Sequence, residues 1–125
     1  MKPIQFAFAQ SVKHRVVFQV TDKDPAKWNL ILNNVRNVRD ALGKDNVDNE
    51  VVAYGAGLAM SKMDSEVGDR VAEMLVGGVK VVACENTTHS QTVTRADMLP
   101  NIGYVPAGVV ELMEKQAAGY AHIRP

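Results

Sequence analysis

The stretch Val79-Lys-Val-Val-Ala-Cys84 decides the fold of this chain. All but one of its residues are apolar, and an apolar run of this length is typical of a strand that is covered on both faces. Such strands occur in parallel sheets, because the crossover helices of those sheets lie on the faces. The stretch therefore predicts a buried parallel strand that ends at Cys84.

The segments before it alternate between strand and helix patterns. Residues 15–20 are rich in β-branched and aromatic side chains and predict a first strand. Asp24 and Pro25 have the residue types of a helix N-cap and first helical position. A helix face follows from apolar residues at steps of three and four, and Gly43 ends the helix; the apolar residues are Trp28, Ile31, Val35, Val38 and Leu42. Residues 50–54 predict a second strand, and residues 65–75 a second helix that ends at Gly77-Gly78.

After Cys84 the polar residues 85–93 predict a loop. Thr94-Arg-Ala-Asp97 has a capping-box pattern and predicts a short helix to about Leu99. Residues 102–105 predict a brief strand, and Pro106 a last helix that ends at Gly119 and carries Val109, Val110, Leu112, Met113 and Ala117. Residues 120–124 alternate as a terminal strand. Strand and helix repeats of this kind predict an open three-layer α/β/α sandwich with a mostly parallel sheet of about five strands.

Composition excludes several classes of protein. A chain of 125 residues predicts one domain, here residues 14–125 after an extension over residues 1–13. Fourteen Lys and Arg balance fourteen Asp and Glu, so no strong field attracts nucleic acid or an anionic membrane. Charges interrupt every apolar run before the roughly 18 residues of a membrane span. Residues 6–10 look like the end of a secretion signal without its apolar core, so we expect a cytoplasmic protein, with a periplasmic one as the alternative.

Ligands of such sheets bind beyond the carboxyl ends of the strands, at residues 22–24, 55–63 and 85–93. The first of these loops lacks the glycines or hydroxyls of a phosphate cradle. Gly55-Ala-Gly-Leu-Ala-Met60 has Met60 where a dinucleotide motif has its third glycine, which favours a simple turn. No histidine has a second ligand at helical spacing, so we expect neither a metal nor an organic cofactor. Asn29, Asn33 and Asn37 form a stripe that faces either solvent, a polar cavity or a subunit neighbour.

Cys84 is the sole cysteine, so the chain forms no internal disulfide. Two interpretations of it remain open. Free cysteine is often simply buried, and the strand before it is core. Alternatively it is reactive, since it ends a strand where α/β folds place their chemistry, although Glu85 opposes thiolate formation. Candidate donors that would offset Glu85 follow it in the sequence: Asn86, Thr87, Thr88 and His89.

The chain resembles the DsrE/DsrF-like (YchN-like) family, and within it the small stand-alone branch with an Ala-Cys-x-Asn-Thr motif. The likeness covers about residues 14–125, in the order Asp24-Pro-Ala-Lys-Trp-Asn-Leu30, Val52-Ala-Tyr-Gly-Ala-Gly-Leu58, Val81-Val-Ala-Cys-Glu-Asn-Thr87, Gly103-Tyr-Val-Pro-Ala-Gly-Val109 and residues 120–125. The resemblance implies a flavodoxin-like or YchN-like fold and a trimer or hexamer. Relay members of the family carry a persulfide on a cysteine at the end of a central strand, and Cys84 matches that position. In those members the cysteine leads promptly into a helix, which the sequence after Cys84 does not predict.

Two functions follow as hypotheses. In the first, Cys84 accepts sulfane sulfur from a donor protein or small persulfide and passes it to an acceptor thiol, a sulfurtransferase-like activity at most. Asn86 and Thr87 would donate hydrogen bonds to the sulfur, and His89 is a weaker candidate for proton handling. In the second, the protein is a non-catalytic oligomer that binds a small ligand or a partner in a strand-end pocket near Gly55, Gly57 and Asn86, with Cys84 only as a pocket wall. A redox sensor is a weaker third idea, because the chain has no resolving cysteine.

Overall fold

A computed structural model describes residues 13–125; of the predicted extension over residues 1–13, only Lys13 lies within this range. The sheet has five parallel strands in the order β4-β3-β2-β1-β5, which confirms the predicted α/β fold. The strands are β1 (His14–Val20), β2 (Val47–Ala53), β3 (Lys80–Cys84), β4 (Gly103–Val105) and β5 (Ala121–Ile123). β2 begins at Val47, three residues before the predicted start at residue 50. It is the middle strand of the sheet. Cys84 therefore ends the strand beside the centre, not the central strand itself.

Four α-helices connect the strands: α1 (Pro25–Leu42), α2 (Gly68–Val76), α3 (Glu85–Ser90) and α4 (Gly108–Ala117). α1 is the element that the sequence predicts best, because Asp24 accepts a hydrogen bond from the Ala26 N–H at 3.0 Å and Gly43 ends the helix at φ +92°. Leu42 was expected on the buried face but is 38% exposed, since it lies in the last turn beyond the sheet contact. α2 begins later than predicted, at Gly68, after a turn over residues 65–68.

Short 3₁₀ turns replace two other predicted segments. Gly55–Ser61 is a 3₁₀ helix instead of an irregular loop, and Arg95–Asp97 is a single turn that ends before Leu99. The predicted capping box is present there, because the Thr94 N–H donates to the Asp97 carboxylate at 2.9 Å. Hydrogen bonds from the Thr94 backbone and side chain lower the pKa of Asp97.

Strand order determines which face each helix covers. The chain runs from β1 through β2 and β3 to β4 in one direction, so right-handed crossovers place α1, α2 and α3 on one face. It then returns across the whole sheet to β5, which places α4 alone on the opposite face. The first face holds the larger core, including Phe18, Leu32, Val51 and Leu58. The α4 face holds a small core of Val17, Val52 and Leu112, with Tyr54, Val82 and Tyr120 packed against it.

The asparagine stripe on α1 has a structural partner. Arg70 of α2 donates to the Asn29 side chain at 2.9 Å and to the Asn33 side chain at 2.9 Å. Asn37 is exposed. Two of the three asparagines therefore link neighbouring helices, a role that the sequence pattern did not indicate.

No helix within residues 13–125 is both long enough and apolar enough to span a membrane.

Candidate functional site

Cys84 lies at the point where the chain direction splits. It ends β3 in register with Val105, the last residue of β4. The chain leaves β3 towards the face of α1 and α2 but leaves β4 towards the opposite face, where α4 lies. Such a switch point opens a crevice at the carboxyl edge of a parallel sheet, and α/β proteins bind ligands there.

The segment after Cys84 is helical over residues 85–90, so the loop predicted for residues 85–93 is wrong there. α3 begins at Glu85, directly after the cysteine. The helix has six residues and no apolar periodicity, which removes the usual sequence signal. Tertiary hydrogen bonds hold it instead, since the Asn86 N–H donates to the Pro106 carbonyl at 3.1 Å and the Gly55 N–H donates to the Thr87 hydroxyl at 3.0 Å.

The Cys84 side chain points to the α4 face. Val81 and Ala83 belong to the larger core and Val82 packs against the smaller one, so strand alternation directs Cys84 towards α4. The last helix begins at Gly108, not at Pro106 as predicted, because residues 106 and 107 cross from β4 to the α4 face. The first turns of both α3 and α4 therefore reach the thiol.

Hydrogen-bond donors surround the sulfur. Burial raises the pKa of Cys84, whose residue surface is 4% exposed. The Thr87 hydroxyl and the backbone N–H groups of Gly108, Thr87 and Asn86 donate to the sulfur and lower that pKa. The donors outweigh burial, so the pKa of Cys84 lies below its ordinary value. Asn86 contributes least, because its N–H is shared with the Pro106 carbonyl. The arrangement stabilises the thiolate more than an apolar core site would.

Thr87 connects the cysteine to the loop after β2. Its hydroxyl donates to the Cys84 sulfur and accepts from the Gly55 N–H. The Gly55 carbonyl accepts from the Gln91 side chain at 3.1 Å, so both backbone polar groups of this glycine bind α3 or the residue after it. Gly55 has φ +57°, a conformation that favours glycine. The sequence-predicted residues Gly55, Thr87 and Cys84 thus form one connected group.

Gly57 lies close to the first strand rather than to the thiol. A Cβ atom on Gly57 would lie 2.2 Å from the Val20 carbonyl oxygen, a distance that real Cβ atoms do not show. Only glycine lets the 3₁₀ helix pack on the end of β1. Gly57 therefore has a packing role in this structure.

His89 and Asn86 differ from their predicted positions. Both side chains are exposed, and Asn86 meets the sulfur through its backbone. His89 lines a cleft of about 200 Å³ on the sheet face opposite to the one that Cys84 faces. Glu85 and Arg95 also line this cleft, paired at 3.5 Å, and the Arg95 guanidinium lies 3.8 Å from the Tyr104 ring centroid. The structure does not bring His89 to the thiol.

Three residues of the site were missed from the sequence: Tyr54, Pro106 and Gly108. A Cβ on Gly108 would lie 2.7 Å from the Tyr54 ring, so the glycine lets the first turn of α4 approach the sheet closely. The segment Pro106-Ala-Gly108 indicates the start of a helix, but the local sequence does not show that β4 lies beside β3. Strand order alone brings residues 84 and 108 together.

Solved structures of the same fold exist. The YchN protein from E. coli matches 91% of this chain and 99% of its own, with a TM-score of 0.72 and 11% sequence identity. The chain is therefore an α/β protein with a YchN-like fold. A protein of unknown function from Methanobacterium thermoautotrophicum, MTH1491, matches 90% of this chain and 100% of its own, with a TM-score of 0.86 and 35% identity.

This chain belongs to the family of that archaeal protein. No model of a known protein family matches the chain, and neither does any curated protein. The fold and the family are thereby defined, and the chemistry has to be argued from the site itself.

Proposed function

We propose that this protein is a DsrE/DsrF-like sulfur carrier in which Cys84 holds sulfane sulfur as a persulfide. One observation carries the proposal: a thiol that is 4% exposed nevertheless has a lowered pKa, because four donors surround it. Burial alone would have the opposite effect. The position of α3 supports the proposal as well, since Cys84 leads directly into this helix, as in the relay members that the sequence resembles.

The reaction balances without an added oxidant. The Cys84 thiolate attacks the outer sulfur of a persulfide R–S–SH, the S–S bond of the donor breaks, and R–S⁻ leaves with the electron pair. A new S–S bond joins Cys84 to the transferred sulfur. An acceptor thiolate then attacks that outer sulfur in the same way and releases the Cys84 thiolate. No metal or organic cofactor is required for either step.

The surrounding donors stabilise the Cys84 thiolate at both ends of the transfer cycle. The Thr87 hydroxyl and the Gly108 N–H stabilise the thiolate before transfer and again when it leaves. Limited exposure restricts access to a small persulfide or a slender segment of a donor protein. Because fourteen positive residues balance fourteen negative ones, short-range contacts rather than a long-range field would select the partner.

Mass spectrometry tests the proposal. The wild type is incubated with a small persulfide, and the Cys84→Ser variant is treated in the same way as the matched control. We expect a mass increase of one sulfur atom on the peptide containing Cys84, its removal by an acceptor thiol, and no increase in the variant. No added sulfur, together with slow alkylation of Cys84 near neutral pH, would remove the proposal.

A second candidate is a non-catalytic ligand-binding protein, and the cleft beside α3 favours it. The paired Glu85 and Arg95 and the Tyr104 ring offer polar and aromatic contacts to a small molecule. Cys84 faces away from this cleft, so Cys84→Ser would keep the ligand whereas Arg95→Met would weaken it. NMR titration of both variants with small carboxylates separates the two candidates, since a carrier needs Cys84 and not Arg95.

Oligomerisation as a trimer or hexamer, and a cytoplasmic location, are further parts of the proposal. The outer side of α4 exposes Val109, Val110 and Met113, at 52%, 46% and 64%. Apolar side chains grouped in this way are typical of association surfaces. A cytoplasmic location suits a free thiol, which stays reduced there. Sedimentation of the wild type against Val109→Glu would show the larger species only in the wild type.

A further inference from the structure

A buried charged cluster lies on the α4 face, away from Cys84. Glu50 of β2 is 3% exposed and faces Glu111 and Lys115 of α4. The Lys115 ammonium lies 3.7 Å from Glu50 Oε1 and 4.0 Å from Glu111 Oε2, so one cation faces both carboxyl groups. Glu50 Oε2 has no hydrogen-bond partner among the described residues. These three side chains hold the middle of α4 against the sheet.

A hydrogen bond between two carboxyl groups requires one shared proton. Burial, together with the hydrogen bond and the charge of Glu111, raises the pKa of Glu50 to about 7, although Lys115 and Lys80 oppose the shift. Below that pH the cluster holds one proton, one negative charge and the Lys115 cation. Above it, two carboxylates compete for Lys115, so the contact between α4 and β2 weakens.

The other polar and charged groups on this face have partners of their own. Arg15 of β1 donates to the Ala118 carbonyl at 3.2 Å, and Asp48 of β2 pairs with Lys13 at 3.7 Å. His122 of β5 lies 2.8 Å from the Gln19 side chain, and the Tyr120 ring centroid lies 5.0 Å from the Lys115 ammonium. Lys80 of β3 is in register with Glu50 and adds a nearby positive charge. The proton shared by Glu50 and Glu111 is therefore the one whose loss directly affects the contact between α4 and β2.

The cluster is connected to the thiol through the first turn of α4. Glu111 follows Gly108 by three residues in the same helix, a distance of about 5 Å along the axis. The Gly108 N–H donates to the Cys84 sulfur, and a Cβ at this position would lie 2.7 Å from the Tyr54 ring. An α-helix moves as a unit over one turn, so a shift at Glu111 displaces the donor at Gly108.

We propose that Glu50, Glu111 and Lys115 are positioning residues for Cys84. With a proton shared between the two carboxyl groups, they hold the first turn of α4 on the sulfur; loss of that proton loosens the turn and lowers the reactivity of the thiol. The inference deepens the proposed function and rests on its reactive Cys84, but not on the transfer of sulfur. It predicts that above pH 7 the reactivity of Cys84 rises less steeply with pH than that of an isolated thiol.

Alkylation of Cys84 by iodoacetamide, a neutral reagent, tests the inference in the intact chain. Glu50→Gln keeps the size of the side chain and replaces the shared proton with an amide donor. The ratio of its alkylation rate to that of the wild type should rise from about one at pH 6 to about threefold at pH 8, which corresponds to roughly half a pKa unit on Cys84. Glu114→Gln is the matched control, because Glu114 is an exposed glutamate of the same helix. A flat ratio for Glu50→Gln, or the same rise for Glu114→Gln, would overturn the inference.

Amide hydrogen exchange separates positioning from a direct charge effect and needs no variant. After correction for the intrinsic pH dependence, the Gly108 N–H of the wild type should exchange about threefold faster above pH 7 than below it. An unchanged Gly108 exchange rate means that Glu50 acts on Cys84 through its charge alone, which rejects the positioning role. If both measurements succeed but Cys84 takes up no sulfur, the positioning role stands and the proposed carrier function fails.

Discussion

Cys84 and Glu50 are two buried acids on neighbouring strands and on the same face of the sheet, yet their pKa values shift in opposite directions. Their residue surfaces are 4% and 3% exposed. The pKa of Cys84 lies below its ordinary value, whereas that of Glu50 is raised to about 7. Burial opposes ionisation at both positions, so burial does not explain the difference.

The groups that face each acid explain it. Cys84 meets a hydroxyl and backbone N–H groups, which stabilise a negative charge. Glu50 meets a second carboxyl group, and one lysine compensates only in part. At the edge of the sheet two helices begin and offer free N–H groups, but at the middle of α4 every backbone N–H is already bonded. The position along a helix thus decides the direction in which the pKa of a buried acid shifts.

Replacing Thr87 with valine should reduce the difference between the two acids most strongly, because it removes the hydroxyl donor from Cys84. The pKa of Cys84 should rise, and alkylation at pH 7 should slow about tenfold, as expected for the loss of a hydrogen bond to a charged group of about 1.5 kcal/mol. The Gly55 N–H also loses its acceptor, at a cost of about 1 to 3 kcal/mol in the free energy of unfolding. Rates of alkylation against pH measure the first effect and urea unfolding the second.

Thr87→Ser is the matched control for that change. It keeps the hydroxyl and loses only a methyl group, so its alkylation profile should stay near that of the wild type. If valine and serine slow Cys84 equally, the hydroxyl is not what lowers the pKa of the thiol.

Gly108→Ala should weaken the second donor. The new Cβ would lie 2.7 Å from the Tyr54 ring, so either the ring or the first turn of α4 has to move. We expect alkylation of Cys84 to slow about threefold, and overpacking to lower the free energy of unfolding by about 1 to 3 kcal/mol. Alkylation rates against pH and urea unfolding measure these two effects.

Gly68→Ala provides a close control for this prediction. Gly68 is likewise the first residue of a helix, but a Cβ there would lie 3.5 Å from Leu99, an ordinary contact. Alanine at position 68 should leave the alkylation rate unchanged and the stability equal or slightly higher. Equal losses at positions 68 and 108 would show that glycine at a helix start matters in general, not the contact with Tyr54.

The sequence predicts the fold better than the site, for a physical reason. The helix Pro25–Leu42 and the strand that ends at Cys84 carry strong local signals in capping, periodicity and apolar runs. Gly55 and Thr87 could be selected because they follow strands, where α/β folds place ligands. Gly108 could not, since its role depends on the order of β3 and β4 in the sheet.

The helix Glu85–Ser90 was not predicted either, because its stability comes from tertiary contacts. Six polar residues have no helical pattern, and contacts with Gly55 and Pro106 stabilise the helix. Glu50 was interpreted only as part of a strand, because its carboxyl partner lies 61 residues further along, at position 111. Local patterns therefore predict the elements, while the groups that set each pKa come from tertiary structure.

Glu50→Gln should remove the pH dependence of stability that the raised pKa of Glu50 causes. Folding raises the pKa of Glu50 from its ordinary 4.5 to about 7, so between these values the folded state holds a proton that the unfolded state has released. The free energy of unfolding should therefore fall as the pH rises from about 4.5 to 7, by roughly 2 kcal/mol after partial solvent screening, and level off above 7. Glutamine does not titrate, so the variant should lose this slope and be more stable than the wild type at pH 8. Urea unfolding across this range, with Glu114→Gln as the control that keeps the slope, measures it; a slope retained in Glu50→Gln would show that another group carries the proton.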